Sequence, residues 1–341
     1  MKFLSQFLYQ QALATSSKLY YKILLRLRGI LLRLCDPLIT TTFRGYTLTM
    51  PSSHTIFLNQ KLYPFYDMRL QTLAQYLCAK DGRLAMVDVG ANIGDTAVFS
   101  QVDGASYLLI EGEQTYAALI PANLRANLSA PLSQHTSTQN LECMTTWTTS
   151  GFAGGGGGDH KLFHICTTFL GDKDSCGNYT MSLQNGSGKL IASSSQSPIY
   201  TLDTIVQKSS FSPNFIKIDT DGFDFKVLRG AVATIKAYAP IIYFEWSYTH
   251  LLEQAESPLA IFPLLRELGY RELVIFDNFG TLLCVLPSDD RQNLALLMDY
   301  TKDSSQIHYY DVLAIPSQSA FNLQEYLQLY TKQNAQAREW I

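Results

Sequence analysis

Four acids stand within or at the ends of short apolar runs. Asp88 lies inside Ala85-Met86-Val87-Asp88-Val89, and Glu111 closes Tyr107-Leu108-Leu109-Ile110. Asp219 closes Ile216-Lys217-Ile218, and Glu245 closes Ile241-Ile242-Tyr243-Phe244. A carboxylate so placed can accept the hydroxyls of a ribose, balance a cation or take a proton from a substrate. Directly after Asp88 comes Gly90-Ala91-Asn92-Ile93-Gly94-Asp95, a G-x-x-x-G turn, and Thr96-Ala97-Val98-Phe99 then begins a helix. Gly90 lets the chain turn tightly and lets a ligand approach the backbone. The helix start beyond it offers N–H groups and partial positive charge, which suit a pyrophosphate or equally a carboxylate.

These residues need a scaffold that brings strand ends together. Strand, glycine turn, helix, strand and terminal acid in that order mark the start of a doubly wound α/β sheet, in which ligands bind beyond the carboxyl ends of the strands. Asp219 and Glu245 then point into one crevice. Further strands are expected at 162–166, 272–276, 281–286 and 309–315, and helices at 114–128, 223–228 and 258–268. Residues 178–192 read as a polar hairpin turning at Asn185-Gly186. The chain divides into a basic helical extension (1–36), a strand and helix lead-in (37–80), a main domain (81–316) and a C-terminal helix (317–341). Within the main domain, 130–160 is rich in Ser, Thr and Gln and holds five consecutive glycines at 154–158. It reads as a flexible surface insertion, because such a run loses much backbone entropy if fixed.

Composition narrows the classes. The chain has 341 residues, is 47% hydrophobic and 16% charged, and has a net charge of −3. That excludes a disordered solvating chain, and the near-neutral balance argues against a nucleic-acid partner. Six cysteines, none in a C-x-x-C pair, suggest neither a zinc site nor a disulfide framework, and a reduced, cytoplasmic location is expected. His160 and His164 have i, i+4 spacing, but they fall in loop and strand rather than on a helix. Residues 1–35 contain Lys2, Lys18, Lys22, Arg26, Arg28 and Arg33 and no acid. On a helix, Lys18, Lys22, Arg26 and Arg33 form one stripe, with Leu19, Ile23, Leu24, Leu27, Ile30, Leu31 and Leu34 over much of the rest. Three readings stand: residues 18–34 contact an anionic membrane surface, making the protein peripheral to the inner membrane face; the apolar side packs on the protein's own domain or a second subunit; or the segment is an export signal.

Glu111 points to a ribonucleoside cofactor, which leaves a nicotinamide oxidoreductase and an S-adenosylmethionine methyltransferase in competition. Asp88, just before the glycine turn, would oppose a pyrophosphate and favour a cofactor bearing an ammonium and a sulfonium. Two longer blocks carry a resemblance. They are Val87-Asp88-Val89-Gly90-Ala91-Asn92-Ile93-Gly94-Asp95-Thr96 and, after Ile110-Glu111, Asn123 and Thr201-Leu202-Asp203, the segment Phe215-Ile216-Lys217-Ile218-Asp219-Thr220-Asp221-Gly222-Phe223-Asp224. With Pro240-Ile241-Ile242-Tyr243-Phe244-Glu245 they resemble the FkbM family of S-adenosylmethionine-dependent methyltransferases over about residues 80–250. The resemblance implies a class I methyltransferase, Rossmann-like fold and O-methylation of a saccharide, glycoconjugate or secondary metabolite. Gly90, Asn92 and Gly94 are expected to shape the methionine pocket, Asp88 to neutralise its positive end, and Glu111 to bind the ribose. Asp219 or Glu245 is the expected base, and together they could hold Mg²⁺. Asp221 and Asp224 read equally as first-turn helix acids, Asp203 as the cap of its own helix, and Tyr248 and His250 as contacts on the acceptor side. A catalytically idle cofactor-binding module is the remaining alternative.

Overall fold

The computed structural model describes residues 1–135, 142–149, 161–184, 187–304 and 306–338. Helices α1 (Lys2–Ala14) and α2 (Lys18–Leu32) precede a hairpin of β1 (Leu38–Phe43) and β2 (Tyr46–Pro51), then α3 (Ile56–Leu62) and α4 (Met68–Asp81). The chain continues through β3 (Ala85–Val89), α5 (Asp95–Phe99), β4 (Ser106–Glu111), α6 (Gln114–Ala117) and α7 (Ile120–Asn127). Next come β5 (Leu132–His135), β6 (Met144–Thr149), β7 (Leu162–Thr167), β8 (Phe169–Leu170), β9 (Ser175–Gln184) and β10 (Ser187–Tyr200). Then follow α8 (Leu202–Ser209), β11 (Phe215–Ile218), α9 (Asp224–Arg229), α10 (Val232–Tyr238) and β12 (Ile241–Ser247). The last elements are α11 (Tyr248–Glu253), α12 (Ile261–Glu267), β13 (Tyr270–Asp277), β14 (Leu282–Pro287), α13 (Arg291–Asp303), β15 (Tyr309–Pro316) and α14 (Leu323–Arg338).

Among the described residues, ten strands form the main sheet in the order β14-β13-β15-β12-β11-β3-β4-β7-β6-β5. The five central strands, β12 to β7 in that order, are parallel, and antiparallel strands finish both edges. The sheet is therefore doubly wound with a parallel centre. From β3 the chain builds outward through β4 and β7, then returns to β11 and builds the other way. That reversal opens a crevice above the carboxyl ends of β3 and β11. The strands are covered on both faces, which is why they read as continuous apolar runs. In β3, Met86 joins a core containing Leu70, Phe99 and Tyr107, while Val87 and Val89 join the opposite core of α8 to α13.

Several elements differ from the expectations. Residues 132–135 and 144–149, inside the expected insertion, are strands: 144–149 pairs with β7, and 132–135 pairs with 144–149 at the sheet edge. The glycine run, His160 and the Asn185-Gly186 turn lie outside the described residues. Residues 56–62 form a helix within the strand and helix lead-in, and α13 had no counterpart among the expected elements. Asp203 is a helix cap, but of a different helix: its carboxylate accepts from Ala233 N (2.9 Å) and Thr234 N (2.7 Å) at the start of α10, while Thr201 caps α8. Cys143 and Cys166, distant in sequence, meet as thiols with sulfurs 2.8 Å apart.

Candidate active site

The glycine turn is built by its neighbours. Gly90 has φ +77°, and a Cβ there would lie 1.9 Å from the carbonyl oxygen of Asp219, so only glycine lets the turn pass the end of β11. Gly90 N and Ala91 N donate to Ile110 O at 2.9 and 3.0 Å. Asn92 N donates to Glu111 Oε2 at 2.7 Å, and Glu113 N donates to Glu111 Oε1 at 2.7 Å. The N–H groups of Gly90, Ala91 and Asn92 are thus engaged by β4 and its terminal acid. Fully buried Asn123 clamps the turn from α7, donating to Ile93 O (2.8 Å) and exchanging two bonds with the backbone of Thr49. His54 Nδ1 accepts from Ile56 N, which leaves the Nε2 proton to donate to Asn92 Oδ1 at 3.3 Å. Burial lowers this imidazole to about 4, so it is neutral.

Above the turn lies a cavity of about 360 Å³ whose wall includes Gly90, Asn92, Glu111, Lys217, Asp219, Asp221, Glu245 and His250. Gly94 is not on that wall. It starts α5 and faces Ile120. Nor is Asp88, which needs a correction: its carboxylate is fully buried beneath the turn and meets Lys217 Nζ at 3.1 Å. The register of β11 on β3 sets Lys217 directly beside Asp88. Lys217 Nζ also reaches Gly90 O at 3.2 Å and Asp219 Oδ2 at 3.4 Å. Burial opposes the ammonium, but Asp88, Asp219, Asp95 and Asp67 outweigh it and hold Lys217 well above its ordinary value. Asp88 therefore serves the cavity at one remove, by fixing the lysine under it.

Among the described residues, seven carboxylates line the cavity: Asp67, Asp95, Glu111, Asp219, Asp221, Glu245 and Asp311. Burial lifts Glu111 to about 7 despite its backbone bonds. Burial, with Asp95 and Asp219 nearby, raises Asp67 to about 8, and burial raises Asp95 to about 6 against the pull of Lys217. Asp67, Asp95 and Asp311 received no role from sequence. Asp311 carried a signal all the same: it is polar within Tyr309–Pro316, and antiparallel pairing sets it opposite Glu245. Asp67 precedes a helix and gave no such cue.

Glu245 and His250 form a pair at the far side. His250 Nδ1 lies 2.8 Å from Glu245 Oε1, at the turn from β12 into α11. That hydrogen bond raises His250 to about 9, while burial raises Glu245 to about 7. Asp221, at φ +49°, lies 3.9 Å from the same imidazole nitrogen. Gly222 follows at φ +102°, and a Cβ there would meet His250 O at 2.5 Å. Asp224 turns away and braces its own helix start through Thr220 Oγ1 (3.1 Å) and Gly222 N (3.2 Å). Among the described residues, the acids and histidines close enough to share one ion are Asp221, Glu245 and His250, within 4.8 Å of one another. Asp219 is not in that group, so the expected Mg²⁺ on Asp219 and Glu245 gains no support from it. Tyr248 is half-buried at the start of α11.

A sheet with a parallel centre, a glycine turn after β3, an acid closing β4 and carboxylates at the ends of β11 and β12 is a doubly wound, Rossmann-like fold with an acidic crevice. The family model for the methyltransferase FkbM domain matches residues 88–272, more than half of the chain, and the chain belongs to that family. No curated protein matches. Among solved structures, the chain is similar to an FkbM methyltransferase from Methylobacillus flagellatus at 15% identity and TM-score 0.33, covering 68% of this chain and 43% of that one. It is also similar to Trm1 from Pyrococcus horikoshii in complex with S-adenosyl-L-methionine, at 9% identity and TM-score 0.40, covering 82% and 62%. An O-methyltransferase from Bacillus cereus is similar at 12% identity and TM-score 0.34, covering 74% and 81%. The chain thus spans less than two thirds of the first two.

Proposed function

We propose that the protein transfers the methyl group of S-adenosylmethionine to a hydroxyl oxygen of a saccharide, glycoconjugate or other small secondary metabolite. The observation that carries this reading is one cavity with seven carboxylates, where the glycine turn and Glu111 stand on one side and Asp219 and the Glu245–His250 pair on the other. The donor set fits a cationic nucleoside. It opposes a pyrophosphate, which disfavours the nicotinamide alternative. When bound, S-adenosylmethionine supplies an electrophilic methyl on a positively charged sulfur.

The chain's residues have separable tasks. Glu111 keeps a lone pair on each oxygen beyond its backbone bonds, enough to accept the ribose hydroxyls. Gly90 lets the turn pass close to the end of β11, Asn92 presents its side-chain edge, and Lys217 fixes Asp219 over the turn. Asp219, with half of its side chain exposed, lies on the strand between the cofactor turn and Glu245 and orients the acceptor hydroxyl. Glu245 takes the proton: burial makes it more basic than an ordinary carboxylate, and His250 holds its position. Lining up oxygen, methyl and sulfur is a large share of the catalysis, since methyl transfer asks for little covalent work by protein groups.

The test is incubation with methyl-labelled S-adenosylmethionine and a glycan-rich cell extract, followed by mass spectrometry of labelled products. A label stable to base and linked as an ether to a hydroxyl carbon is expected. A label on nitrogen or carbon, or none in any extract, contradicts the reading.

A further inference from the structure

The basic N-terminal segment contains α2, whose faces differ. One face is docked on the protein: Leu24 and Leu31 are buried. From the same side Arg28 donates to Ser52 O at 2.9 Å and Ser53 O at 2.6 Å, and its guanidinium lies 5.6 Å from the Tyr9 ring. The opposite face has no cover among the described residues. Leu19, Ile23, Leu27, Ile30 and Leu34 remain 42–72% exposed. At 100° per residue these five fall in one stripe, and Lys18, Lys22, Arg26 and Arg33, all exposed, fill the stripe beside it.

A contiguous apolar strip on a surface helix marks a docking site rather than chance exposure. Charge decides the occupant. Residues 1–35 hold six of the chain's cations and no acid, although the whole chain is net negative. A second copy of the strip would bring four cations against four. An apolar stripe bordered by cations instead matches the acyl boundary and anionic headgroups of a lipid surface, with the helix lying in the interface. At 15 residues α2 is too short to span a bilayer, and no helix among the described residues is long and apolar enough to do so. We propose that the outward face of α2 docks the protein on an anionic membrane surface. The proposal is independent of the reaction assigned to the cavity. It has a structural consequence: Arg28 and Asp36 hold Ser52 and Ser53, which precede His54 on the cavity wall. Docking therefore fixes the cavity relative to the lipid plane.

The test is co-sedimentation of the full chain with phosphatidylcholine vesicles, with and without phosphatidylglycerol. Binding is expected only with phosphatidylglycerol, and it weakens as salt is raised. Ile23→Gln with Ile30→Gln abolishes it, and Lys22→Gln with Arg26→Gln weakens it at least about tenfold. All four side chains are exposed, so the unfolding temperature of both variants stays near wild type. Three results overturn the proposal. These are no phosphatidylglycerol-dependent binding by the wild type, unchanged binding by both variants, or a wild-type dimer that dissociates in Ile23→Gln with Ile30→Gln while vesicles capture nothing.

Discussion

Glu245 has two neighbours that set its chemistry. Burial raises its carboxyl to about 7, and the His250 imidazole draws it back toward the charged form. Below about pH 7 Glu245 gains a proton and cannot accept another from a substrate hydroxyl; above it the carboxylate is free to do so. Turnover should therefore rise with pH through about 7 at saturating cofactor. Glu245→Gln should remove that limb and lower the turnover rate by about 10²–10⁴, leaving cofactor affinity within about twofold. The same limb surviving in Glu245→Gln would move the proton acceptor elsewhere, with Asp219 next in line. At this scale the sequence was informative about chemistry and less so about direction. Asp88 and Glu111 both stand at strand ends, yet alternation along β3 turns Asp88 under the turn toward Lys217, while Glu111 ends β4 on the cavity wall.

β11 and β3 are joined by more than their ladder. Lys217 on the first carries a buried ion pair with Asp88 on the second, in direct register. Such a pair contributes little net stability against an apolar substitute, but removing one partner strands the other charge. Lys217→Met should cost about 3–5 kcal/mol in urea unfolding, and adding Asp88→Leu should recover most of it. A loss below about 1 kcal/mol in the single variant would show that Asp88 is neutralised by other means. The parallel strands were legible because burial on both faces writes them as continuous apolar runs. Strands β5 and β6 were not, since Leu132-Ser133-Gln134-His135 and Met144-Thr145-Thr146-Trp147 have a composition close to loop. Asp203 shows the same limit for caps: a cap type was evident, but the helix it serves lies 30 residues away in sequence.

Across the whole molecule, residues from His54 to Asp311 converge on one cavity at the point where the sheet reverses its winding. The lead-in before the main domain supplies His54, Asn59, Tyr66 and Asp67 to its wall, and β15 supplies Tyr309 and Asp311. No single motif spans that distance, so the glycine turn and the acids of β4, β11 and β12 were readable and the closing wall was not. The proposed function has one consequence that does not depend on knowing the acceptor: the acidic cavity binds S-adenosylmethionine with no acceptor present. Isothermal titration of the intact chain with S-adenosylmethionine is the most direct measurement. The account predicts one site per chain, weakened at least about tenfold by Glu111→Ala, and no binding of NADH at the same concentrations. Failure of S-adenosylmethionine to bind, or displacement of it by NADH, would contradict the assignment of this cavity.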